Sequence, residues 1–144
     1  MPANVASVLS IIKLILLFMI MAVAVYMDVR KRTIPNILPL AIAGVSFIPP
    51  LWPHFDGIVV GLILIIVAVL VGGIGGGDIK MITAVGLCLG FSQTAMAVLS
   101  AMILLILFHL IKGGKLVKDN DENRAYPLMP FLLPGMVIGY LCYL

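Results

Sequence analysis

Charge is scarce in this 144-residue chain. Asp, Glu, Lys and Arg make up only 10% of it, against about 25% in an ordinary soluble domain. Acidic residues number six, so each carboxylate can be weighed individually. Cysteine is nearly absent: Cys88 and Cys142 sit inside apolar runs, without the CxxC spacing of a zinc site or the spaced pairs of a disulfide framework. Both are expected to be small core hydrophobes. No segment alternates apolar and polar residues with the period of two that a lipid-facing barrel needs. The formal charge is only +3, and no nucleic-acid partner is needed to explain it.

What fills the chain instead is hydrocarbon. Hydrophobic residues reach 63% and mean hydropathy is +1.27, so lipid must serve as part of the solvent. The expected fold is all-α, a polytopic integral membrane protein with one domain over residues 1–144 and about six transmembrane helices. A span needs about 20 mostly apolar residues, fewer where the bilayer thins. The stretches that qualify are Val8–Met27, Ile37–Leu51, Gly57–Val71, Ile79–Phe91, Ser92–Ile111 and Pro127–Leu144. The second and fourth are short, and only Gly90 with the polar Ser92, Gln93 and Thr94 separates the fourth from the fifth. The first stretch has no Ala-x-Ala-like site and is too long for a signal-peptide core, which favours a retained helix.

Basic residues set the orientation. Arg30, Lys31 and Arg32 follow the first span, Lys80 opens the fourth, and Lys112, Lys115, Lys118 and Arg124 precede the sixth. With six spans these segments share one side, the cytoplasm, and both termini face outward. Lys13 lies toward the other side, where it is expected to snorkel to the headgroups. Trp52, Pro53, His54, Phe55 and Asp56 then form a short outer loop.

Four of the six acids have ordinary explanations. Asp119, Asp121 and Glu122 belong to a solvated charge run, and Asp56 is expected to cap the third helix or favour its dipole. Asp28 and Asp78 differ. Two spans separate them, so parity alone places both at the cytoplasmic edge of the bilayer, where ionisable groups are costly and point to function. Two carboxylates that approach one another cannot both ionise comfortably, and desolvation acts in the same direction. Such a pair shares a proton. Its ionised member can take a proton from water while its protonated member polarises an amide carbonyl, with no metal or cofactor. In the alternative reading Asp28 pairs with Arg30 or Arg32 and Asp78 caps the fourth helix.

Glycine is concentrated just before Asp78, in Gly72-Gly73-Ile74-Gly75-Gly76-Gly77-Asp78-Ile79-Lys80. Glycine costs a helix about 1 kcal/mol per residue relative to Ala, so a break is expected before helix 4, with positive φ and close backbone approach allowed. A glycine-lined cleft beside an aspartate suits an extended peptide; a plain flexible turn is the alternative. The run lacks the Gly-Lys-Ser/Thr ending of a phosphate loop. Lys80 reads as a cytoplasmic anchor or as a partner that tunes Asp78. Pro35-Asn36 reads as a helix start with Asn36 as N-cap. Pro127, Pro130 and Pro134 would kink or delay the sixth helix, and His109 reads as a helix-terminus partner.

Asp28-Val-Arg-Lys-Arg-Thr-Ile-Pro-Asn36 and Gly75-Gly-Gly-Asp78-Ile-Lys80, with Pro130-Phe-Leu-Leu-Pro-Gly135, resemble the type IV prepilin peptidases, a family of membrane aspartyl proteases with a Gly-x-Gly-Asp motif. The likeness runs from the first helix to the last. It implies Asp28 and Asp78 as the catalytic pair, with Gly75, Gly76, Gly77, Lys80, Pro35, Asn36 and Pro130 as supporting or substrate-facing positions. It also implies cleavage of prepilin or pseudopilin substrates after a glycine, at the cytoplasmic face of the cell membrane. Bifunctional members carry a cytoplasmic insertion with paired CxxC motifs and methylate the new N-terminus; the first loop here is short and has no CxxC, so a short form with peptidase activity alone is expected. Two other classes compete: a small proton- or cation-coupled transporter, and a non-catalytic subunit of a pilus or secretion machine.

Overall fold

The computed structural model describes residues 3–31, 34–48, 53–71, 75–111 and 128–142. Arg32, Trp52, Gly72, Gly73, Lys112, Lys115, Lys118, Asp119, Asp121, Glu122, Arg124 and Pro127 lie outside the described residues. Within them the fold is all-helical: α1 Ala3–Lys31, α2 Ile37–Ser46, a 3-10 turn Phe55–Gly57 leading into α3 Ile58–Val71, α4 Gly76–Leu89, α5 Phe91–Ile111 and α6 Met129–Leu141.

Two stretches are long and apolar enough to cross a membrane, Val5–Lys31 and Phe91–Ile111; Ile37–Ser46, Phe55–Leu70 and Met129–Leu141 are apolar but shorter. Leu40, Val69, Leu70 and Ile111 are each more than 70% exposed, an outward apolar surface that soluble monomers avoid. The core gathers around Leu17, Met21, Ile42, Met81, Ile82, Val85, Met129, Leu132 and Met136, all under 2% exposed.

The helix limits depart from the expected spans where the ends are polar or glycine-rich. α1 runs beyond Val8–Met27 at both ends, since Asp28 to Lys31 continue its hydrogen bonding at little cost. α2 stops at Ser46, five residues before the expected Leu51. α4 starts at Gly76 rather than Ile79, because Gly75 in extended conformation serves as N-cap and its carbonyl accepts the N–H groups of Asp78 and Ile79. Gly76 and Gly77 are therefore helical, and neither has positive φ; among the described glycines that conformation belongs to Gly90, φ 86°, where α4 gives way to α5.

Small residues set the helix spacing, as they do wherever helix backbones approach closely. A side chain at Gly135 would place its Cβ 2.4 Å from the Ala97 carbonyl oxygen, and one at Gly139 would lie 2.8 Å from the Gln93 oxygen. The α5–α6 hairpin is sealed further by Phe108 against Phe131, ring centroids 5.4 Å apart. The turn before α3 meets α4 just as closely, Gly57 against the Gly86 backbone, and His54 N–H bonds the Leu87 carbonyl at 2.9 Å.

Three expected side-chain roles change. Lys13 does not snorkel: it is 5% exposed and donates to the Ser46 carbonyl at 3.0 Å, serving the C-terminal end of α2. Asp56 caps neither the turn it sits in nor α3. Its Oδ2 accepts from Phe91 N–H at 3.1 Å, at the start of α5, because Gly90 turns that end back toward it. Cys88 is buried as expected, whereas Cys142 is exposed at the C-cap of α6.

Candidate active site

Helix ends converge at one end of the bundle: the end of α1 with the starts of α2, α4 and α6. α1 carries Asp28 one turn before its C-terminus, and this side chain is 7% exposed. Asp28 Oδ2 accepts a hydrogen bond from Met129 N–H at 3.3 Å. Met129 is the first residue of α6, a position whose N–H has no partner within the helix. The carboxylate completes it.

Asp78 occupies the first turn of α4, ahead of the apolar stretch that begins at Ile79, and is partly exposed. Burial pushes its carboxyl up from 3.8 to about 6, and the negative charge of Asp28 pushes the same way. The two carboxylates thus act on one another although fifty positions separate them in sequence.

Around Asp78 the expected supporting residues take specific places. Lys80 Nζ donates to Asn36 Oδ1 at 3.1 Å, tying the start of α4 to that of α2. Asn36 does hold the N-cap position of α2, but its side chain makes no cap hydrogen bond; Lys80 takes it instead. Pro35 contributes its carbonyl, which accepts Leu38 N–H at 3.1 Å and turns the chain into α2. Gly77 packs on Ile34, where an added Cβ would lie in ordinary contact at 3.4 Å. At Gly76 no atom of the described residues lies within 4 Å of an added Cβ. The glycines here are thus less about close approach than about leaving room beside Asp78.

Pro130 falls in the first turn of α6 next to Met129, where a missing N–H costs nothing, and Pro134 lies inside the helix. Arg30, one alternative partner for Asp28, is turned to Tyr26: its Nη1 bonds the Tyr26 hydroxyl and its guanidinium lies over the ring. Arg32, the other alternative, is outside the described residues. His109 sits in the last turn of α5, as expected.

Sequence reasoning missed the Met129 amide. No side-chain pattern marks a backbone donor, and the cue available was that the sixth helix had to begin somewhere near Pro130.

The family model of the type IV leader peptidases matches residues 15–110, a segment that contains both aspartates. The prepilin leader peptidase/N-methyltransferase of Bacillus subtilis (strain 168) is 28% identical over 126 residues, covering 79% of this chain and 49% of that protein. The chain thus spans about half the length of the curated relative it matches. No solved structure matches. With the matched segment running from within α1 to the end of α5, the chain belongs to the type IV leader peptidase family.

Proposed function

We propose that this protein is a multi-pass membrane aspartic endopeptidase that removes the leader peptide from prepilin-like substrates, using Asp28 and Asp78 to activate water. The observation that carries the reading is the pairing of a buried carboxylate at the end of α1 with a raised carboxylate at the start of α4. A pair with one proton has both functions that amide hydrolysis needs. Asp78, pushed up to about 6, holds the shared proton and polarises the scissile carbonyl. Asp28, buried and fixed by Met129 N–H, takes the proton from water. Asp78 then donates to the leaving amine.

The room that the described residues leave at Gly76 gives an extended peptide a path to Asp78. Cleavage after a glycine, just ahead of the substrate's hydrophobic helix, fits a site at a helix-bundle end rather than its middle. Arg30 and Lys31 close α1 and Lys80 opens α4, which supports an aspartate end that faces the cytoplasm. The short link between Lys31 and Ile37, which has no CxxC, leaves no room there for a methyltransferase insertion and supports a short form.

Co-expression with a prepilin-like substrate tests this. The wild-type protein should shorten the substrate by its leader, and Asp28→Asn and Asp78→Asn should leave it full length. Normal processing by either variant would defeat the dyad. Charge movement across liposomes without any proteolysis would favour a transporter instead.

A further inference from the structure

The end of the bundle opposite the aspartates holds a second polar centre that peptide cleavage does not use. A cavity of about 140 Å³ is lined there by Ser10, Lys13, His54, Gln93 and Tyr140, together with apolar neighbours that include Leu14. It is several times the ~30 Å³ share of one liquid water, enough for a phosphoryl group. Among the described residues its lining contains an ammonium and an imidazole and no acidic side chain. Asp56 meets His54 Nδ1 at 3.9 Å and the Phe91 N–H at 3.1 Å, but does not line the cavity.

Leu14 and Tyr140 also line a second, larger hollow of about 690 Å³, an apolar groove between α1 and α6 walled by Ile11, Ile15, Phe18, Val137 and Leu141. The polar cavity and the apolar groove are therefore neighbours, sharing Leu14 and Tyr140. The polar cavity lies where several helices end. α2 ends at Ser46, α5 begins at Phe91 and α6 ends at Leu141, and Lys13 lies fifteen positions before Asp28 on α1, about 22 Å along the axis. A buried lysine in a polar cavity next to an apolar groove is complementary to a molecule with an anionic head and an acyl tail.

We propose that this end of the protein binds one anionic phospholipid, its phosphate beside Lys13 in the polar cavity and an acyl chain along the α1–α6 groove. Lys13 holds the carbonyl of Ser46, so the bound headgroup would also fasten α1 to α2.

Native mass spectrometry of the full chain, released from detergent micelles doped with phosphatidylglycerol or with phosphatidylcholine of matched acyl chains, measures the preference. The wild-type protein should retain phosphatidylglycerol roughly tenfold more tightly, a difference of about 1.4 kcal/mol. Lys13→Met should erase that preference and Lys13→Arg should keep it. Equal retention of the two lipids by wild type, or an unchanged preference in Lys13→Met, overturns the proposal. Should Lys13→Met fail to fold, photolabelling of wild type decides. Phosphatidylglycerol with a diazirine in its acyl chain should label residues 11–22 and 137–141, and label confined to other segments refutes the site. Thermal stabilisation by inorganic phosphate equal to that by the lipid would make this a small-anion site and overturn the lipid assignment. Displacement of the lipid by a prepilin hydrophobic-helix peptide would give the groove to substrate, with the same consequence.

Discussion

Replacing Asp28 with Asn removes one charge and keeps the side chain's shape, and it should change two observables at once. Asp78 is raised by burial first and by the Asp28 charge second. The substitution removes the second cause alone, so Asp78 should titrate below about 6 yet still above 3.8. Loss of a positioned general acid or base costs about 10²–10⁴-fold in rate, or about 2.7–5.4 kcal/mol of transition-state stabilisation. The wild-type protein should work best while the pair holds one proton, with activity falling as the pH rises through about 6, where Asp78 loses its own. The assay is cleavage of a prepilin-like reporter in proteoliposomes across the acid and neutral range. The infrared band of the protonated carboxyl would be followed in the same samples. The reasoning is refuted if Asp28→Asn cleaves within about tenfold of wild type, or if Asp78 in the wild-type protein titrates as an ordinary carboxylate.

Stability should follow the same proton. Asp78 binds it more tightly folded than unfolded, so its contribution is complete below 3.8 and is lost as pH rises through about 6; Asp78→Asn should flatten that decline in thermal melts. Gly135→Val forces a side chain onto the Ala97 carbonyl and should cost about 1–3 kcal/mol or more, while Gly44→Ala, with nothing within 4 Å, serves as the control in the same melting series. Asp56→Ala removes the acceptor for Phe91 N–H and should lower stability by about 1 kcal/mol, with cleavage kept; a loss of cleavage at unchanged stability would contradict its capping role. Lys80→Met and Asn36→Ala should each cost about 0.5–1.5 kcal/mol, and a double-mutant cycle should show them coupled, since they share one hydrogen bond.

The class of fold was legible because hydrophobic runs and helix-breaking residues report directly on lipid and on chain direction. Gly90 marked the α4–α5 break with nothing more than its own identity. Parity assigned Asp28 and Asp78 to one end, and the structure has the charge of one acting on the other. What stayed hidden was whatever depends on long-range partners. Lys13 looked like a surface cation because a single lysine in an apolar run normally snorkels, yet the carbonyl it serves belongs to Ser46, 33 positions away. Asp56 and Asn36 sat at believable cap positions, but their partners, Phe91 and Lys80, come from other helices. Local chemistry predicts where a cap could be made. Tertiary packing decides which helix receives it.

The bond from Met129 to Asp28 spans 101 positions of sequence, and that distance is also an interval of time. At about 5–20 residues per second, a ribosome needs roughly 5–20 s to go from the first aspartate to the amide that fixes it. For roughly the second half of that interval, once Asp78 is made, the growing chain carries both acids but not the last of the described helices. On the proposed function, a site assembled in this order reaches its finished geometry only when α6 arrives. Chains cut between Asp78 and Met129 would carry both acids and lack the amide that holds Asp28.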